Sequence, residues 1–160
     1  MTLIEKISRF PSQLPSAEHH IHIPDGLYVC DYVGSVGFYY LGSSPRLAMC
    51  FRIIEDVGIE RHIFAFYKVI ELSNKGRTQE KNKRIRDPEF RIGWRARLAR
   101  DLGQLFSEFS PSNLPTRVPT IDNSVSVRTA TVREDSHGSN RPESFWSSKV
   151  DRIEGWANED

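Results

Sequence analysis

The chain has little of what marks a disulfide scaffold, a membrane protein or an enzyme. Its 160 residues include only two cysteines. Cys30 and Cys50 each sit inside a strand-like stretch with no CxxC partner, the pattern of buried reduced thiols rather than of a disulfide framework or a zinc site. No run approaches the roughly 18 apolar residues of a membrane helix. The segment Met1–Pro15 places Glu5 and Lys6 inside its only apolar patch, which a secretory signal would not do, so a cytoplasmic protein is expected. There is no GxSxG elbow, no phosphate-cradling Gly-rich loop, no HExxH and no acidic pair on a strand, so neither catalysis nor a cofactor is expected. Cys50 and His62 could face each other across a hairpin, but no third, orienting group is marked; a buried thiol beside a half-exposed histidine accounts for the pair. His19-His20-Ile21-His22 lies in a linker between Pro15 and Pro24 and lacks a closed ligand set, so no metal site is expected.

What the chain does have is a hairpin. Residues 45–70 comprise two β-branched and aromatic runs around Glu55-Asp56-Val57-Gly58, an acidic-Gly turn signal. Leu47, Met49, Phe51 and Ile53 share one face of the first run, and Ile63, Ala65, Tyr67 and Val69 one face of the second. The opposite face of the second run carries His62, Phe64, Phe66 and Lys68. A strand apolar on one side has no need of aromatics on the other, so this second face calls for a functional explanation.

Charge is segregated. The formal net charge is +1, yet residues 61–100 hold twelve Lys and Arg against four acids, while the segments before and after are both net acidic. A basic segment between acidic ones is the electrostatic footprint of a polyanion partner. Much of that charge lies in residues 73–86, where Ser73 to Arg84 contains no apolar residue and reads as a long basic loop.

Taken in order, residues 1–24 read as an appendage and linker, interrupted by Pro11, Pro15 and Pro24. Regular structure begins at Asp25-Gly26, a turn feeding a strand over the stretch Leu27 to Gly42, in which Gly34 and Gly37 mark a bulge or bend. The hairpin and the basic loop follow. Asp87-Pro88-Glu89 then reads as a helix start, with an N-cap acid and Pro at the first position, and Phe90, Trp94, Leu98, Leu102, Leu105 and Phe106 as the buried stripe of a helix over 88–106. Val125, Val127, Thr129 and Thr131 alternate against Ser126, Arg128, Ala130 and Val132 in a fourth strand. Residues 145–153 suit either a fifth strand or a short helix, and 154–160 an acidic tail. One helix between the third and fourth of five strands predicts a mainly β protein over residues 25–153, a five-stranded Greek-key barrel of the oligonucleotide-binding (OB) type, with a five-stranded α+β roll as the alternative.

Single-stranded nucleic acids are held by cations along a groove and aromatic faces on which bases stack. The candidates for that chemistry are Phe38, Tyr39 and Tyr40 beside the first loop; Arg46 and Arg52 on the outward side of the first hairpin strand; His62, Phe64, Phe66 and Lys68 on the second; and Lys75, Arg77, Lys81, Lys83, Arg84 and Arg86 in the basic loop. Packing of Phe64 and Phe66 under the helix or the N-terminal segment is the competing assignment, because the sequence leaves register open.

Gly26-Leu27-Tyr28, Ser44-Pro45-Arg46-Leu47, Phe66-Tyr67-Lys68-Val69, Leu105-Phe106 and Val127-Arg128-Thr129 together resemble the short motifs of a set of uncharacterised proteins from bacterial phages and integrative elements. The likeness spans about residues 25–153; Phe66 stands where those proteins have Tyr, and the 71–86 loop is more charged. Their layout is similar to that of phage single-stranded-DNA-binding proteins. The resemblance implies a DNA-binding role in replication or recombination of a mobile element, with replication, recombination or host-defence proteins as further partners. The alternative expectation is a protein-interaction module or inhibitor that blocks a host nucleic-acid-binding complex.

Overall fold

The computed structural model describes residues 21–40, 43–54, 60–73, 84–134, 138–143 and 146–157. Among the described residues the protein is mainly β, with an antiparallel sheet that does not close and one short helix. Strands β1 (Leu27–Tyr40), β2 (Ser44–Ile53) and β3 (Arg61–Lys68) are followed by three short strands, β4 (Glu71–Ser73), β5 (Ile85–Arg86) and β6 (Glu89–Arg91). Helix α1 (Arg97–Gly103) precedes β7 (Val125–Val132) and β8 (Ser147–Trp156). The main sheet has the order β3-β2-β1-β7-β8. Among the described residues no helix is long and apolar enough to cross a membrane.

β1 organises this sheet because it is long enough to hold different partners along one edge. It pairs with β2 along almost its whole length, while on the other side its first four residues pair with β7 and its Val36 and Gly37 pair with β5. The register between β1 and β2 shifts between Tyr32 and Gly34, the bulge that the glycines predict. Gly37 has a further reason to lack a side chain: a Cβ there would meet Leu72 Cδ2 at 2.9 Å and Pro88 Cγ at 3.0 Å. The two-stranded β4–β6 sheet therefore packs straight onto the β1 backbone.

The strand alternation places the core as expected. Leu47, Met49, Phe51 and Ile53 of β2, Ile63, Ala65 and Tyr67 of β3, and Val125 and Val127 of β7 are all buried and form one cluster with Leu98 and Leu102 of α1. The helix packs against both β3 and β8, the two edge strands. There Asp101, 1% exposed, accepts a 2.7 Å hydrogen bond from the Tyr67 hydroxyl. Arg97 stacks over the Tyr67 ring at 4.9 Å and donates to the Phe66 carbonyl at 3.0 Å, occupying part of the outward edge of β3.

Several expectations need correction. The helix is seven residues long, not the span 88–106. Asp87 has φ +46°, outside helical space, and residues 89–91 pair with β4 as strand β6, with the Phe90 N–H given to the Thr116 carbonyl. Trp94, expected in the helix stripe, is 42% exposed because it lies before the first helical turn. The basic segment 73–86 is not all loop: Ser73 ends β4, and Ile85 and Arg86 pair with β1. Residues 147–156 are strand, so Glu154 to Trp156 of the expected acidic tail belong to β8. The end of the expected appendage belongs to the domain too, since Ile23 is buried and the Ile21 carbonyl accepts from the Ser148 N–H. The Glu55–Gly58 turn and His19–His20 lie outside the described residues.

Candidate nucleic-acid interface

The cross-strand register turns the outer face of β1, β2 and β3 into rungs three side chains wide. From the β1–β2 connection inwards they are Phe38–Arg46–Lys68, Val36–Ala48–Phe66, Gly34–Cys50–Phe64 and Asp31–Arg52–His62. In the two central rungs the middle strand carries Ala48 and Cys50, both fully buried between their neighbours. Val33, Val36, Ala48, Cys50 and Phe64, with Phe38 against them, form a second apolar cluster on the side of the sheet away from the main core. Burial pushes the Cys50 thiol far above its ordinary pKa, so it stays a neutral, unreactive filler.

Phe66 is an accessible ring of this face, at 37% exposure. It stacks on Phe64 at a centroid distance of 6.0 Å and meets Phe38 edge-on at 6.5 Å, which fixes its orientation over the apolar rungs. Phe64, only 6% exposed, offers no free ring to a base on the flat face. Tyr40 is half-exposed with the Arg46 guanidinium 5.0 Å above it, and Arg46 Nε donates to Ser44 Oγ at 3.2 Å. Lys68 is exposed on the same rung as Arg46. Arg86, exposed on β5, sits opposite Val36 and so carries cationic charge to the other margin of the Phe66 rung.

The remaining expected residues are placed differently. Tyr39 pairs with Pro45 and packs against the main core, so it faces inward and leaves the site. Arg52 reaches Asp31 Oδ2 at 2.6 Å, and Ser124 Oγ donates to the other oxygen at 2.8 Å; this arginine is committed to joining β1, β2 and the start of β7. His62 is half-buried beside it. Arg84 is exposed just before β5. Lys75, Arg77, Lys81 and Lys83 lie outside the described residues.

Sequence reasoning missed Asp31 as the neutralising partner of Arg52, although an acid inside an otherwise apolar strand was a visible signal. It also missed Asp101, which falls three residues after Leu98 on the helix stripe, where only a partnered carboxylate can be accommodated. Burial raises the Asp101 pKa above the usual carboxylate value, while the Tyr67 hydroxyl, Arg100 and Arg97 oppose that rise. Among the described residues no group of three His, Cys, Asp or Glu side chains stands ready to hold a metal ion. No protein-family model, curated protein or solved structure matches this chain.

Proposed function

We propose that this protein binds single-stranded DNA with little sequence preference, through the outer face of β1, β2 and β3, as part of the replication or recombination of a phage or mobile element. The observation that carries the reading is Phe66: a ring held half-exposed on a sheet face, with Arg46 and Lys68 one rung away and Arg86 at its other margin. Bases stack on such rings without regard to identity, and the cations answer the phosphates. The binding role is non-enzymatic. The finer architectural reading is an OB-type Greek-key barrel left open between β3 and β8. In its support, β1 lies between β2 and β7, and the helix falls between the third long strand and the fourth.

The test is a fluorescence-anisotropy titration of the whole chain with oligo-dT at several salt concentrations. Affinity should fall with salt at a log–log slope near −0.7 per phosphate neutralised. Phe66→Ala should weaken binding by about 1–3 kcal/mol and leave the slope unchanged. Absence of binding at low salt overturns the reading. A protein-interaction module is the second reading, favoured by Leu27, Val29 and Ile54, which lie exposed on neighbouring backbone and offer no ring to a base. It predicts Phe66→Ala to be silent in the same titration.

A further inference from the structure

The two edges of the open sheet leave a cleft between β3 and the β7–β8 hairpin, about 220 Å³ in volume. Its β3 wall is formed by His62, Phe64 and Phe66, and its opposite wall by Val132, Ser147 and Lys149. Ile63 and Ile21, both packed in the main core, close it from the inner side, and Arg141 completes the rim. Lys149 pairs with Ala130 and Ser147 with Val132, one register step from the inward Val150, so these side chains continue the outer face across the gap.

We infer that this cleft captures one base of the bound single strand, and that Lys149 and Arg141 hold its flanking phosphates. Three observations point to that occupant. The lining has an aromatic wall, two cations and no acid, which suits a planar ring attached to an anionic backbone. The volume is below the range of ordinary small-molecule pockets and suits a single ring system rather than a larger ligand. The cleft also shares Phe66 with the Phe38–Arg46–Lys68 surface, so a strand crossing β2 and β3 enters it without a break. Phe64, shielded from the flat face, acquires a role here: its accessible edge is a wall of the cleft. The strand therefore runs across the β-strands, from Arg46 and Lys68 over Phe66 towards Lys149. This inference rests on the proposed single-strand reading, and the experiment separates the two.

The whole chain is irradiated with oligo-dT carrying 5-iodouracil, and crosslinked residues are mapped by mass spectrometry; anisotropy is measured in parallel on Arg141→Ala/Lys149→Ala and on Val132→Trp, which narrows the cleft. The expected result is crosslinking at Phe64 as well as Phe66, with the double variant's salt slope flatter by roughly 0.7 for each phosphate released. Val132→Trp should abolish the Phe64 crosslink while retaining the one at Phe66. If the wild type binds oligo-dT but crosslinks only at Phe66 or Phe38, and the double variant keeps the wild-type affinity and slope, the cleft assignment is overturned and the single-strand reading stands. If the wild type binds no oligo-dT, both are overturned.

Discussion

Among the described residues Asp101 is the charged side chain that the core encloses, and two predictions follow from its partners. Tyr67→Phe deletes the hydroxyl that donates to it at 2.7 Å and leaves a buried carboxylate oxygen short of a hydrogen bond. The expected cost is about 1–3 kcal/mol, read from the urea midpoint at neutral pH; an unchanged midpoint would show that the bond contributes nothing. The second concerns pH. Burial raises the folded-state pKa of Asp101 above the ordinary value of 3.8, so in that window the folded protein holds the proton more tightly than the unfolded chain does. Stability owed to this group is therefore present at low pH, falls as pH rises from about 3.8 through the folded value, and is constant above it. Asp101→Asn lacks this decline. The difference in Tm, wild type minus variant, should move against the wild type across that window; a difference independent of pH contradicts the argument.

Among elements, the small β4–β6 sheet depends on a close approach that sequence pattern does not advertise. Gly37 is where Leu72 and Pro88 rest against β1. The leucine can rotate away from an added methyl group but the proline ring cannot, so Gly37→Ala should destabilise by about 1–3 kcal/mol through overpacking. Equilibrium denaturation gives the number, and a neutral result would mean that the β4–β6 layer shifts freely. In β8 the bulge near Glu154 is carried by Gly155 at φ +152°, a conformation that L side chains rarely adopt. Glu154 on that bulge receives hydrogen bonds from both Arg128 and Arg152, which hold its carboxyl below the usual range. The strands with clean alternation, β2, β3 and β7, were legible from the sequence because burial on one face writes period-two patterning directly. The helix was legible in position but not in length. Its apparent start at Asp87-Pro88-Glu89 was overruled by antiparallel pairing with β4, Leu72 opposite Phe90, which draws that stretch into a strand.

At the scale of the whole molecule, the cations among the described residues are not gathered into one basic patch. Of the cations between residues 61 and 100, Lys68 and Arg86 reach the outer face, Arg97 lies on Tyr67, Arg91 pairs with Glu71 at 3.4 Å and Arg100 with Asp101 at 3.6 Å. The proposed binding surface is thus, among the described residues, a short stretch of cations flanking a ring. The open sheet sets a gradient of stability. β2 is bonded on both sides, whereas β3 and β8 each leave one edge to the cleft and the helix. Hydrogen exchange should find the most protected amides in β2, and faster exchange on the outward edge of β8. Uniform protection across the sheet would instead indicate that β3 and β8 bond to each other.

By itself the sequence determined a mainly β protein, the inward faces of its long strands, the bend in β1 and the pairing of β2 with β3. Each of these follows from residue type and spacing within one segment. The tertiary structure decided the fate of the outer face. Phe64 and Phe66 are alike in the sequence, two residues apart on the same side of one strand. Phe64 is shielded beside Cys50 and Gly34 and turns its edge to the cleft, whereas Phe66, beside Ala48 and Val36, remains half-exposed. Arg46 and Arg52 differ in the same way, because only Arg52 has Asp31 across the rung. The partners that make these distinctions come from strands distant in the chain, and local pattern carries no record of which of them will stand opposite.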